Sequence, residues 1–506
     1  MSTTTNKNGN HLDHHQTVAS DSNNEKIDTR SQNQDNQDLL LPHNQTDSLP
    51  SRIDPAKSTS SSTSTAHHNN NNNYNNNDMD YESIVTPINS KLEFENTDCS
   101  SNTTQETTRT TKTTDLSFYH RVVINDWVKN FSLAYFVSVM GCGISSSLLY
   151  KFPWPAHWLI ICSYIMFAIA CILFIINCIL FTLSIVYYPD RVAKYLLDPT
   201  QATFMGCFSM GFTTLVNYIG ILCDGKHMYF VWTLYWIALA GALYSSFIVV
   251  FFAFFSKLNK KLEILDAKLN ATLLLPIVAI TVISSSGHQI ELELYKLNET
   301  IITMIISFMV WCLSISLAFM IMTIYVYRLI IHKIPPTHLI FTSFLPVGFL
   351  GQSSYSIYLF GNNLNKLIPE ELLWGKILLC IAGFFSFFLL SLGYFMVFVA
   401  VVSLLSKIKP FAKKNINLNH TNKFGLLKHN KNFWAMTFPL GTMSLSNTEI
   451  GLGGIGGYKL LTFKVMGAIF ATCCILITTG CLIGVVIYNL KRIRLAFMKR
   501  KQSSMV

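Results

Sequence analysis

Fixed charge is scarcest where the chain is most repetitive. Five apolar stretches, at 131–150, 202–222, 270–288, 337–361 and 433–449, contain no Asp, Glu, Lys or Arg between their ends. That absence excludes a carboxylate proton relay within them, and equally the converging acids, bases or metal ligands that catalysis needs. Disulfide chemistry is also excluded as an organising principle. Of twelve cysteines only Cys99 lies outside or away from the edge of an apolar span, and none pairs with a metal-ligand spacing in a polar setting. No apolar run opens the chain, so no cleavable secretory signal is expected and the first membrane span is expected to direct insertion.

The first 115 or so residues lack apolar runs altogether and are rich in Asn, Ser, Thr, Gln and His, including the tract from His67 to Asn77. Such a composition cannot bury enough surface to offset chain entropy, which predicts a disordered tail over 1–118. His14, His15, His67 and His68 have no closed metal-site spacing, and neither a metal nor any other cofactor is expected.

What the remainder contains is a fivefold internal repeat. Phe438-Pro439-Leu440-Gly441-Thr442 aligns without gaps with Leu345 to Phe349, Leu275 to Ala279, Phe208 to Phe212 and Ser138 to Cys142. On the column Gly141, Gly211, Val278, Gly348 and Gly441 the spacings are 70, 67, 70 and 93 residues. Each copy is followed by a longer apolar stretch, at 157–187, 229–256, 300–330, 377–406 and 465–490. A membrane helix needs about 20 apolar residues. The expected fold is therefore an all-α membrane protein of ten transmembrane helices, arranged as five hairpins in quasi-fivefold order around a central pore. The longer helices are apolar nearly all round and belong against lipid; the motif-bearing helices belong inside. The transporter domain is placed at 119–492, with a basic tail at 493–506.

Lys and Arg set the orientation. One side of the membrane receives Arg121, Lys129, Arg191, Lys194, Lys257, Lys260, Lys261, Lys268, Arg328 and Lys333, the run from Lys407 to Lys431, and the tail from Lys491 to Lys501. The other receives only Lys151, Lys226, Lys296, Lys366, Lys376, Lys459 and Lys464. Both termini are expected in the cytoplasm. The net charge of +10 then reads as a membrane-bordering collar facing anionic lipid, with no nucleic-acid partner. Asn298-Glu299-Thr300 is a glycosylation sequon on the opposite side. Gly451, Gly453, Gly454 and Gly456 match a dinucleotide fingerprint in spacing, but follow no strand and read as a turn between spans.

Neutral polar groups populate the motif-bearing spans: Ser145, Ser146, Ser147, Thr213, Asn217, Ser284, Gln352, Ser353, Ser354, Thr442, Ser446 and Asn447 are the candidate anion contacts. Nine positions after the first motif column all five repeats are polar: Ser147, Asn217, Ser284, Ser354 and Asn447. Such groups line a pore or bond their own backbone and neighbouring helices. Pro276, Pro346 and Pro439 remove backbone donors and are expected to kink their helices mid-membrane. Gly141, Gly211, Gly348 and Gly441 allow close approach, whether of a helix or of an ion. Phe438, Phe208, Leu275 and Leu345 form an apolar gate if their layer faces the axis, or ordinary packing if it does not. Glu449 and His288 are the nearest titratable groups and are expected in solvent at the span ends.

Several longer motifs resemble a known family. They are Gly141-Cys142-Gly143-Ile144-Ser145-Ser146-Ser147, Phe152-Pro153-Trp154-Pro155-Ala156, the run from Ile161 to Cys171, Gly348-Phe349-Leu350-Gly351-Gln352, and Trp434 to Thr442. Over roughly 120–490 the chain resembles the fungal sulfite efflux pumps of the tellurite-resistance and dicarboxylate transporter family, whose fold is shared with plant slow anion channels. The resemblance implies ten helices around a pore, a homotrimer with one pore per protomer, and a Phe in the ninth helix occluding it, a position matched by Phe438. It implies sulfite or hydrogen sulfite as cargo, leaving across the plasma membrane. A malate or other C4-dicarboxylate permease is the alternative of the same class, and a membrane scaffold or receptor that of another. Cys142 and the Asn-rich tail depart from the pattern.

Overall fold

A computed structural model describes residues 127–256, 270–408, 411, 431–454 and 458–503, and among these every regular element is a helix. The expected 1–118 tail lies outside the described residues, as do the basic stretches 257–269 and 412–430. The motif-bearing helices are α1 (Phe136–Tyr150), α3 (Met205–Cys223), α5 (Leu275–Ile290), α7 (Leu345–Leu367) and α9 (Thr437–Gly453). Each is followed by a partner: α2 (His157–Tyr187), α4 (Met228–Leu243), α6 (Leu297–His332), α8 (Trp374–Leu405) and α10 (Leu461–Ser503). The chain past α4 continues in wider, π-type turns as far as Phe255. α10 continues helical past 492 to Ser503.

Among the described residues, eight helical segments are long and apolar enough to cross a membrane. The two outside that group are α7 and α9, where Gln352, Ser353, Ser354, Asn362, Asn363 and Asn365, and likewise Thr442, Ser444, Ser446, Asn447 and Thr448, dilute the apolar surface. Both are nonetheless buried along most of their length, by other helices and not by an apolar stripe of their own. The two layers separate clearly. Of the most apolar 18 residues, 89% are buried in the segment containing α5 and only 22% in α2. An apolar helix left that open in a folded chain has lipid as its natural solvent.

The prolines act differently from expectation. Ala271–Leu274 and Thr337–Phe344 wind as 3-10 turns directly into α5 and α7, and Pro276 and Pro346 sit in the first α-turn beyond them. Lys431–Met436 leads in the same way into α9, whose third residue is Pro439. A first-turn proline has no intrahelical acceptor to lose, so the missing N–H is absorbed by a change of winding at the junction instead of a bend in mid-helix. The glycine-rich turn is corrected too. Gly451 and Gly453 belong to the last turn of α9, and Gly454, at φ +68°, ends it; Gly456 lies outside the described residues.

The motif-bearing helices pack on one another, α1 on α3, α3 on α5, α5 on α7, α7 on α9 and α9 on α1, while each also packs on its own partner. Glycine sets the spacing at these contacts. A Cβ on Gly141 would meet Thr437 Oγ1 at 2.5 Å, and one on Gly441 would meet Ile144 Cδ1 at 2.6 Å. The nearest atoms to Gly348 belong to Pro439 at 3.3 Å, and those to Gly211 belong to Val139 at 3.5 Å. Small residues here bring helix to helix.

At Gly206 a methyl would lie 2.6 Å from the backbone oxygen of Leu275, which cannot move without shifting α5, whereas nothing lies within 4 Å at Gly480 of α10. Gly206→Ala is expected to cost about 1–3 kcal/mol of overpacking and to lower the thermal midpoint in detergent. Gly480→Ala should leave that midpoint unchanged or raise it, by up to about 1 kcal/mol of helix propensity. Thermal unfolding of the two variants side by side checks both.

Candidate anion pathway

One narrow cavity is lined by residues of all five motif-bearing helices. They are Ile144, Ser147 and the capping Lys151 of α1; Thr214, Asn217 and Ile221 of α3; Val282 and Gln289 of α5; Gln352 and Tyr355 of α7; and Phe438 and Leu445 of α9. No residue of α2, α4, α6, α8 or α10 lines it. Phe438 is 5% exposed and starts the path on α9. Leu445 lies two turns further on, a rise of about 10 Å. The space open to the centre of a water molecule is ≈ 20 Å³, about enough for a single water. An anion of three oxygens around sulfur does not fit until a side chain moves.

A second, wider cavity of ≈ 440 Å³ lies toward the C-terminal ends of α1 and α9, between Leu148, Lys151, Phe152, Pro153 and Pro155 on one side and Ser444, Leu445, Thr448, Glu449 and Leu452 on the other. Lys151, Tyr355 and Leu445 line both cavities. An exposed ammonium thus stands at the junction of a neutral channel and an open mouth, opposite the half-buried Glu449. A cation at the rim draws anions to the path without holding them inside it.

The polar residues of the motif-bearing helices divide into three groups. Ser147, Asn217 and Gln352 line the narrow cavity. Ser146 donates to Gly143 O at 2.7 Å, Thr213 to Ser209 O at 2.9 Å and Thr442 to Pro439 O at 2.8 Å, so their hydroxyls serve their own helices. The others tie helices together. Ser145 donates to Thr478 Oγ1 of α10 at 3.0 Å, and Ser284 to Ser307 O of α6 at 2.8 Å. Ser354 meets Ser386 of α8 at 2.7 Å and Ser446 of α9 at 2.6 Å. Asn447 accepts from Tyr394 of α8 at 2.5 Å. The Ser353 hydroxyl is buried without a partner among the described residues, away from the cavity lining.

The five-membered polar layer therefore does not converge: Ser147 and Asn217 line the cavity, whereas Ser284, Ser354 and Asn447 bond the surrounding helices. The gate layer does not converge either. Phe208 packs edge-on against Phe136 at 5.0 Å and stacks on Phe174 of α2 at 6.0 Å. Leu275 and Leu345 are absent from the lining, so Phe438 stands there without the other three. The physical reason is rotation about the helix axis. Leu275 and Leu345 are the first residues of their α-helices, Phe438 the second and Phe208 the fourth, so one sequence column presents different faces to the centre.

Lys151, Thr214, Gln289 and Tyr355 line the path without having been anion-contact candidates from the sequence. Lys151 and Gln289 sit just beyond the runs of the repeat, where no motif marks them. The expectation of a solvated His288 is also corrected. It is 2% exposed, with Nδ1 2.9 Å from Glu291 Oε2, and Asn363 Nδ2 donates to Glu291 Oε1 at 2.8 Å. This cluster fastens α5 to α7 beside Gln289.

Comparison with known proteins identifies the family. Residues 130–486 match the voltage-dependent anion channel family. A sulfite efflux pump of Candida albicans is 66% identical over 378 residues, 75% of this chain and 78% of that protein. A sulfite efflux pump of Saccharomyces cerevisiae is 32% identical over 410 residues, 71% of this chain and 89% of the relative. One from Arthroderma benhamiae is 29% identical over 357 residues, covering 69% and 88%. With a family match spanning most of the helical region and relatives aligned over most of their own length, the chain is a multi-pass membrane protein that belongs to the voltage-dependent anion channel family.

Proposed function

We propose that this protein exports sulfite or hydrogen sulfite across the plasma membrane by channel-like passage, and that it is a transporter and not an enzyme. The observation that carries the reading is the single cavity to which all five motif-bearing helices contribute and from which every partner helix is absent. It supports a ring of five hairpins, ten spans in all, with the pore on its axis; the succession of contacts from α1 through α9 and back to α1 supports the same closure. The sulfite efflux pumps among its relatives supply the cargo. Both termini lie in the cytoplasm on this reading, from the Lys and Arg bias of the loops, with lipid against the even-numbered helices. The resemblance to trimeric transporters supports a homotrimer with one pore in each protomer.

The driving force is electrical. At a negative-inside potential an anion leaves downhill by about 2.3 kcal/mol per charge per 100 mV. Hydroxyl and amide groups replace part of the hydration shell, and no buried cation is needed to hold the ion, which favours fast passage at modest affinity. The narrowness under Phe438 favours a small inorganic anion over a C4-dicarboxylate, whose longer body needs more of the wall to move.

Vesicles containing the purified full chain and loaded with sulfite should release it under an imposed potential, faster than empty vesicles. No protein-dependent release would overturn the export reading in favour of a scaffold. A cell lacking the protein should grow poorly on sulfite, and unchanged sulfite efflux from it would reject the cargo.

Phe438 is the wall residue best placed to open the path by a change of rotamer. Phe438→Ala should raise anion conductance several-fold while leaving the protein monodisperse in detergent, because the side chain borders space already present. Conductance equal to the parent's, recorded in planar bilayers, would remove Phe438 from the gate.

A further inference from the structure

We infer that the species crossing the narrow cavity is the protonated monoanion, hydrogen sulfite, and that Gln352 selects it by accepting its proton in a hydrogen bond. The inference rests on sulfite export as the function of this cavity and specifies the charge state carried. Gln352 is 2% exposed and lines the cavity. Its Nε2 donates to Ser285 Oγ, and Ser285 has already given its only proton to Val282 O at 2.8 Å. Ser285 must therefore accept, which fixes the carboxamide: turning it over would set two acceptors face to face. Gln352 Oε1 is left buried with no partner among the described residues.

A carbonyl oxygen without a partner is a poor element in a wall meant for a bare oxyanion. Its partial negative charge repels unprotonated oxygen, and burying it unmet costs about 1–3 kcal/mol. An anion that carries one hydroxyl turns the same atom into a contact. Hydrogen sulfite in its O-protonated form has one donor and two charged acceptor oxygens. Gln352 Oε1 meets the donor. Asn217 supplies the complement, because Ser286 donates to its Oδ1 and leaves the amide Nδ2–H groups for the cavity, where Asn217 is also a lining residue.

Charge points the same way. The cost of moving an ion from water into a low-dielectric site scales with the square of its charge, so the dianion pays about four times the monoanion's penalty. The one charged residue lining the narrow cavity is Lys151, at its open end, while the rest of the wall is uncharged, apolar at Ile144, Val282, Leu445 and Phe438. The proton stays on the anion throughout. Each turnover moves one sulfur, one proton and one negative charge outward, with no relay through the protein.

The test uses vesicles with the full chain, loaded with sodium sulfite, in which current and sulfur release are recorded together. The expected ratio is one elementary charge per sulfur. At fixed total sulfite, release should fall as the internal pH rises through the second dissociation of sulfurous acid, following the monoanion. Two charges per sulfur, or release that grows with the dianion, would overturn the inference while leaving sulfite export standing; no sulfite release at all would overturn both. Gln352→Met keeps the length of the side chain and removes the acceptor. The flux ratio of hydrogen sulfite to nitrate, a monoanion with no proton to give, should drop about tenfold, the worth of one buried hydrogen bond. An unchanged ratio would contradict selection by Gln352. The wild-type charge ratio decides the main claim even if the variant fails to fold.

Discussion

In hydrocarbon, every polar group must find a partner inside the protein, and this constraint governs how the neutral side chains of the motif-bearing helices are used. Many of their hydroxyls are consumed in holding helices together: Ser145 on Thr478, Ser284 on Ser307, Ser354 on Ser386 and Ser446. Those bonds seat the motif-bearing helices on their long apolar partners and on each other. The neutral polar groups left to the centre are Asn217, Gln289, Gln352 and Tyr355, together with Ser147 and Thr214, whose own protons go to Gly143 O at 3.3 Å and Gly211 O at 2.8 Å. A pathway with so few groups to offer binds weakly, and weak binding is what rapid permeation needs.

Charge is distributed by the same economy. The narrow cavity carries no charge except at its end, where Lys151 stands beside the wider mouth shared with Glu449. A cation at the rim raises the local anion concentration and is screened by solvent, so it does not trap what it attracts. The buried His288, Glu291 and Asn363 form a separate polar cluster that fixes α5 against α7 and leaves Gln289 facing the path. Neutrality within and charge at the border are two parts of one arrangement.

Much of this was legible in the sequence, because it depends on one-dimensional properties. Apolar length located the spans. The contrast between polar-sprinkled and uniformly apolar stretches separated the two layers, and the repeat identified which helices belong together. The azimuth of each side chain was not legible. Aligning Phe438 with Phe208 assumes that both helices begin at the same residue, and a shift of two positions rotates a side chain by more than half a turn. Phe208 accordingly packs with Phe136 and Phe174 while Phe438 borders the cavity. Proline position was visible, but its consequence depended on where the α-turns start, and Pro276, Pro346 and Pro439 open helices that 3-10 turns lead into. Lys151 was legible only as one of the charges that set the orientation, because it lies one residue past a helix that the repeat defines.

The central claim is that five uncharged helices enclose a lumen which Phe438 closes. A high-resolution density map of the protein in lipid tests it most directly. The account predicts ordered water along the wall formed by Lys151, Asn217, Gln352 and Tyr355, ending at the Phe438 ring, with acyl-chain density confined to the even-numbered helices. Lipid density between the motif-bearing helices, with no water between them, would contradict it.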